Sequence, residues 1–190
     1  MRKVLLHMHM TLDGYAEFPP FEGEDADWPG ITRRMWVSRW RTVDTLLFGR
    51  KTFLDAERHW QSERDRTDKS EFETRASRYA DRVEKVVFSR TLKSTRWPNA
   101  RVVSGDMTRE IARMRRLPGK SMSVSGGAGI ARAFIEQGLV DEYWLTIFPV
   151  VLGRGAPLFP PLVRTQNLRL VETKRFKSGA LFLRYARTRH

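Results

Sequence analysis

Ser121-Met122-Ser123-Val124-Ser125-Gly126-Gly127-Ala128-Gly129-Ile130-Ala131-Arg132 is the stretch on which the reading of this chain turns. A short strand-like run meets three glycines in four positions and passes into an amphipathic helix. Glycine tolerates positive φ and lets another group approach the backbone closely. A helix N-terminus offers free N–H groups and the positive end of the helix dipole. The stretch therefore predicts one of two things: an anion site, most naturally for phosphate, or a tight strand-to-helix turn. It has neither the G-x-G-x-x-G spacing of a dinucleotide fingerprint nor the pattern of a Walker loop.

Outward from this stretch, strand and helix signals alternate. Residues 3–9 read as a strand, followed by an Asp13-Gly14 turn. Pro19, Pro20, Gly23, Pro29 and Gly30 mark a loop, and a helix is predicted from about Thr32 to Arg41, with Trp36 and Trp40 on one face. Residues 45–48 and 85–88 read as buried strands, 100–103 as a further one, and 51–59 as a helix. The charge-dense segment 57–82 reads as a mobile solvated loop and an exposed helix. A helix over 107–117 is stopped by Pro118-Gly119, and the helix after the quoted stretch ends at Gly138. The last third changes character: 141–150, 168–176 and 180–187 read as strands, the last two joined by a hairpin turn at 177–179. This order predicts one three-layer αβα domain over residues 1–190. Its sheet is mixed and mainly parallel, with antiparallel C-terminal strands.

Composition narrows the function classes. Apolar residues make up 41% of the chain and aromatics 11%, as in a packed globular protein. There is no cysteine, so disulfides and thiolate metal sites are excluded, and no metal site is predicted. No apolar run is long enough to span a bilayer, and Met1 to Thr11 lacks the pattern of a signal peptide, so the expectation is a cytoplasmic protein without a membrane partner. The net charge of +13 is spread along the chain without a long basic tract or a nucleic-acid-binding motif. That argues against a nucleic-acid partner and leaves phosphorylated small molecules.

Four segments fall where strands end, the place where open α/β sheets bind ligands. They are Thr11-Leu12-Asp13-Gly14-Tyr15, Gly49-Arg50-Lys51-Thr52, Ser89-Arg90-Thr91 and the glycine turn. Taken singly they are turns, caps or surface charges; taken in order they offer hydroxyls, cations and helix N-termini to a ligand with several phosphates.

These four segments resemble the dihydrofolate reductase superfamily, most closely its riboflavin-biosynthesis reductase branch, the RibD C-terminal domain. The match is carried by Thr11 to Tyr15, Leu46 to Phe53, Lys85 to Thr91 and Ser125 to Gly129. Gly138 to Trp144 and Pro149 to Gly155 add to it. Only 57–82 lies outside the resemblance. It implies an NADPH-dependent oxidoreductase, often a homodimer, that passes a hydride to a C=O or C=N carbon of a small substrate. That substrate is pyrimidine- or pterin-like, and aminouracil reduction is the branch's model activity. By position, Gly49, Arg50, Lys51 and Thr52 are expected at the pyrophosphate, and Ser89 and Arg90 at the 2′-phosphate. Gly126, Gly127, Ala128, Gly129 and Ile130 are expected around the pyrophosphate and toward the nicotinamide. Asp13 and Gly14 fall in the loop over the nicotinamide, and Asp13 or a bound water is the expected proton source.

One departure stands out. The first long helix of dihydrofolate reductases carries an acid; here that place falls near Arg33, and residues 31–41 contain no carboxylate. Folate reduction is not expected. Arg33 and Trp36 become substrate candidates: Arg33 for an anionic group, Trp36 for stacking; the competing readings are an exposed charge and core packing. His7 and His9 share a strand face, where they could bind a metal, shuttle a proton or sit as satisfied buried histidines. A nucleotide-binding protein without turnover remains the alternative to the reductase, with nucleic-acid binding behind both.

Overall fold

In a computed structural model of the chain, residues 1–16, 33, 37, 40–161 and 165–188 are described. Eight strands form one sheet in the order β4-β3-β2-β5-β1-β6-β8-β7. The strands are β1 (Val4–Thr11), β2 (Val43–Gly49), β3 (Glu84–Phe88), β4 (Ala100–Val103), β5 (Ser121–Val124), β6 (Glu142–Phe148), β7 (Leu168–Arg175) and β8 (Leu181–Arg187). All pairings from β4 to β6 are parallel. The β6/β8 and β8/β7 pairings are antiparallel. The hairpin between β7 and β8 closes at Gly179, whose φ of 81° is the left-handed geometry its turn requires.

Period-two alternation sends each central strand's side chains to two different cores. Val4, Leu6, Met8 and Met10 of β1 meet Ile111 and Met114 of α3 (Met107–Arg116) and Phe134 and Ile135 of α4 (Ala128–Glu136). On the opposite face Leu5, Leu46, Phe48 and Val87 pack with Phe53 of α1 (Arg50–Asp65) and Ala80 of α2 (Glu71–Arg82). Helices on both faces of a mainly parallel sheet make the three-layer αβα fold.

Two expectations are corrected. Segment 57–82 is not a mobile loop with an exposed helix: α1 runs through to Asp65, and α2 has Ala76, Ser77 and Ala80 buried. A capping box, Ser70 with Glu73, starts α2. Ion pairs Arg64–Asp81 (2.6 Å) and Arg66–Glu73 (3.2 Å) tie the two helices together. The charges there are partnered with one another, which composition alone does not reveal. The second concerns the apolar strand within Tyr143 to Val151, which from the sequence alone could pair with another subunit. It is β6, an interior strand between β1 and β8, and its backbone is not available to another subunit.

Two buried charges anchor the fold below the strand C-termini. Glu142 accepts hydrogen bonds from Lys3 Nζ (2.7 Å), Arg184 Nε (2.9 Å) and Trp144 Nε1 (3.0 Å). Burial opposes its ionisation, but these donors outweigh it and hold the carboxyl down at about 2. Lys85, fully buried on β3, donates to the carbonyls of Pro98 (2.7 Å) and Asp81 (3.2 Å) and lies 4.8 Å from the Trp97 ring centre. Burial pushes its ammonium down to about 8, against the pull of Asp81. Between that value and the unfolded value of about 10.4 the unfolded chain binds more protons, so stability contributed by this group rises with pH. Denaturant unfolding of the wild type between pH 8 and 10 should show this rise, and Lys85→Met should lose it.

Candidate functional site

The C-terminal ends of β1, β2, β3 and β5 lie along one edge of the sheet, and the loops that leave them build the site. After β5 the chain turns at Gly126 and enters α4 with Gly127 as its N-cap; after β2 it enters α1 with Gly49 as its N-cap. The two turns touch. A Cβ on Gly49 would stand 3.3 Å from Ile130 Cβ, and one on Gly126 would stand 2.3 Å from Ile130 Cγ2. Gly127 N–H donates to Thr52 Oγ1 at 3.1 Å. None of Gly126, Gly127 and Gly129 has positive φ, so close approach, not a left-handed backbone, is what requires glycine at 126.

The caps of α1 to α4 divide into two kinds. Ser70 and Asp106 cap α2 and α3 with their side chains, and both helices carry acids in their first turns. Neither α1 nor α4 has a side-chain cap or a first-turn acid. Two open N-termini with their dipoles therefore meet at the Gly49–Thr52 and Gly126–Ile130 contact. Arg50 and Lys51 are exposed in the first turn of α1 and make no ion pair with any described residue. Ser125, at the end of β5, has a buried hydroxyl with no hydrogen-bond partner among the described residues. A buried hydroxyl left unmatched costs free energy that a bound polar group would offset.

Gly49 is in register with Phe88, so Ser89 and Arg90 leave the sheet beside the same contact. Ser89 Oγ accepts from the N–H groups of Leu92 (3.0 Å) and Thr91 (3.2 Å), which fixes the turn. Arg90 is exposed, and none of the described residues bonds its guanidinium.

Asp13 is placed differently from the role expected of it. Its Oδ2 accepts from Gly153 N–H (2.7 Å) and Leu152 N–H (3.0 Å), and its Oδ1 accepts from Thr11 Oγ1 (2.5 Å). The Thr11 hydrogen bond first, then the two backbone donors, keep its pKa below the ordinary carboxylate value. Such a group holds no proton to give near neutral pH. It clasps the 11–15 loop to the 150–153 loop, and Gly14, at φ 91°, completes the turn. This bond across 140 positions had no sequence signal.

Arg33 is exposed, with its guanidinium carbon 5.8 Å from the ring centre of Phe72 on α2. Trp36 lies outside the described residues. Trp40 packs on Phe72, with ring centres 5.3 Å apart, and Arg75 stacks on it at 4.5 Å. Among the described residues there is no group of acids and histidines suited to a metal ion. No helix among them is long and apolar enough to cross a membrane.

A sheet of this order, with helices on both faces, is the dihydrofolate reductase-like architecture. The RibD C-terminal domain family matches residues 2–182, and the chain belongs to that reductase-like family. The match includes residues 57–82, which the sequence resemblance had left out. The chain is 32% identical to the uncharacterized protein YyaP of Bacillus subtilis, over 97% of this chain and 94% of that one. Its fold is similar to a putative riboflavin biosynthesis protein from Shewanella sp. PV-4 (TM-score 0.66, 20% identity, all of both chains). It is also similar to a dihydrofolate reductase from Enterococcus faecalis complexed with NADP(H) (TM-score 0.61, 13% identity, 98% of this chain and 97% of that one).

Because β-branched Ile130 is stiff within its helix, it cannot swing away from a new methyl at 126. Gly126→Ala should destabilise the protein by about 1–3 kcal/mol, and adding Ile130→Ala should recover part of the loss. Urea unfolding of the two single variants and the double variant measures the coupling.

Proposed function

We propose that the chain is one NADPH-dependent reductase domain, with the cofactor's pyrophosphate at the meeting of α1 and α4. The observation that carries this is the pair of uncapped, acid-free helix N-termini held together by Ile130 and Thr52, beside the Ser125 hydroxyl, which has no partner among the described residues. These groups suit a dinucleotide: N–H donors and dipoles for the pyrophosphate, cations without described partners for its charge, and a buried hydroxyl for a polar edge.

In this reading Gly49, Arg50, Lys51 and Thr52 hold one side of the pyrophosphate, and Gly126, Gly127, Ala128, Gly129 and Ile130 the other. Ser89 shapes the turn that presents Arg90 to the 2′-phosphate. When bound, the reduced nicotinamide supplies a hydride to an electrophilic C=O or C=N carbon. The protein's part is to orient the two reactants and to keep the loops around them in place. Asp13 contributes as the clasp between the 11–15 and 150–153 loops, with Gly14 in the turn.

A second copy of the chain is the partner that one sheet face suits. On the α3/α4 side, Ile147, Leu181, Leu183, Tyr185, Leu170 and Leu168 share a surface across β6, β8 and β7. Leu170 is 47% exposed and Leu181 39%. Edge strand β7 is blunted by Arg169, Lys174, Arg175 and a register shift between Leu170 and Glu172, so the face, not the edge, is the surface for pairing.

Arg90→Ala should weaken NADPH by about 10-fold or more and NADH by less than about 2-fold, as loss of one charge-assisted phosphate contact predicts. Calorimetric titration of both nucleotides checks this; equal losses would remove Arg90 from the 2′-phosphate. The wild type should sediment as a dimer of the 22.2 kDa chain and Leu170→Glu as a monomer.

A further inference from the structure

β1 presents unlike faces to its two sides. Val4, Leu6, Met8 and Met10 enter the α3/α4 core, while Leu5, His7, His9 and Thr11 look the other way. Register extends this second row across the sheet. Leu5 lies beside Ser123 of β5; His7 lies beside Trp144 and His9 beside Thr146 of β6. One period beyond Ser123, Ser125 arrives on the same face at the level of His7. Ser123, Ser125, His7 and Thr146 are all buried. Imidazoles and hydroxyls thus occupy a buried sheet face at the ligand edge, where the other face of β1 is wholly apolar.

Aromatic rings frame this row. His9 lies 5.7 Å from Phe148, and His7 lies 5.9 Å from Trp144 and 6.3 Å from Phe182, between ring centres. The two imidazoles are 6.0 Å apart. The described charges on this face are Glu142 with its partners Lys3 and Arg184, buried Lys85 on β3, and Glu172 and Lys174 on the edge strand β7; by register Arg184 and Glu172 stand in the row of His7 and Lys174 in the row of His9. Asp13 is committed to the 150–153 loop. Toward the strand C-termini, His7 and His9 are the titratable side chains that β1 itself places on this face. Ser125, whose hydroxyl lacks a described partner, directly precedes Gly126 and joins this row to the nucleotide turn.

We propose that His7, His9, Ser125 and Thr146 form the floor of the substrate pocket and that His9 donates the proton in the reduction. This rests on the reductase reading above. His9 is chosen over His7 because it lies nearer the strand end and is less buried, so solvent can recharge it. The carbon of the C=O or C=N bond gains the hydride from the dihydronicotinamide, which is oxidised. The heteroatom takes the proton as the His9 N–H bond breaks, and the neutral imidazole takes a proton back from water. The substrate class is a flat, neutral or anionic ring bearing a carbonyl or imine, whose polar edge can bond the hydroxyls. A cation would be repelled by a charged imidazole.

The test needs no substrate. Protein with ¹³C-labelled histidine is titrated with acid and base in complex with NADPH and then with NADP⁺, with the signals assigned from His7→Gln and His9→Gln. Oxidation leaves a positive charge on the nicotinamide, so an imidazole at the reaction centre should titrate lower in the NADP⁺ complex, by about half a pH unit or more. His9 should show the larger shift, His7 a smaller one, and exposed His59 on α1 none. An unmoved His9 with both nucleotides bound overturns the proposal and leaves the reductase reading standing. Failure of either nucleotide to bind overturns that reading and the proposal with it.

Discussion

The side chain of Ile130 fills the space left where Gly49 and Gly126 have no Cβ, and the ligand edge is organised around that contact. It joins two strand-to-helix turns that are 75 or more positions apart in the chain, and the bond from Gly127 N–H to Thr52 Oγ1 sets their spacing. Two helix dipoles are thereby aimed at one place. A single N-terminus is a weak anion attractor in water; two, converging over a partly dry floor, reinforce each other. The contact also ties the glycine turn to core packing, since Ala131, Phe134 and Ile135 on the same helix are fully buried.

Charge is distributed to leave this place open. The chain is strongly basic, yet many of its described arginines are engaged. Arg66 bonds Glu63, Asp68 and Glu73, Arg101 and Arg113 share Glu110, and Arg115 binds Asp141. Glu110, between its two arginines, is pulled down to about 2, with Arg113 the larger cause. Arg50, Lys51 and Arg90, by contrast, stand without described partners at the ligand edge. Carboxylates cap and neutralise helices elsewhere in the molecule and are missing from the first turns of α1 and α4. The carboxylate nearest the loop over the site, Asp13, is consumed by backbone donors.

Strand periodicity and the glycine and proline breaks between elements made most of the fold legible in the sequence. The runs at 45–48, 85–88, 100–103 and 121–124 are short, apolar and bounded by glycine or polar residues, so their assignment needed no tertiary information. Segment 57–82 was misread because its charges look solvated until Arg64 is seen to meet Asp81 on the neighbouring helix. The strand at 141–150 looked available for pairing because nothing local says that β8 returns antiparallel to cover it. His7 and His9 could be assigned to one strand face, but not to the level of Thr146 and Ser125.

By itself, the sequence determined the alternation of elements, the glycines at the two turns, the absence of thiol chemistry and the lack of an acid in residues 31–41. These are local properties, set by side-chain volume, periodicity and composition. Which turn meets which, which cations are left unpaired, that Asp13 is a clasp and that two imidazoles share a buried row with hydroxyls were decided only by the tertiary structure. The physical reason is sheet order. Strands β2, β5, β1 and β6 are neighbours in space but far apart in the chain, and a function built across their ends exists only once they are side by side.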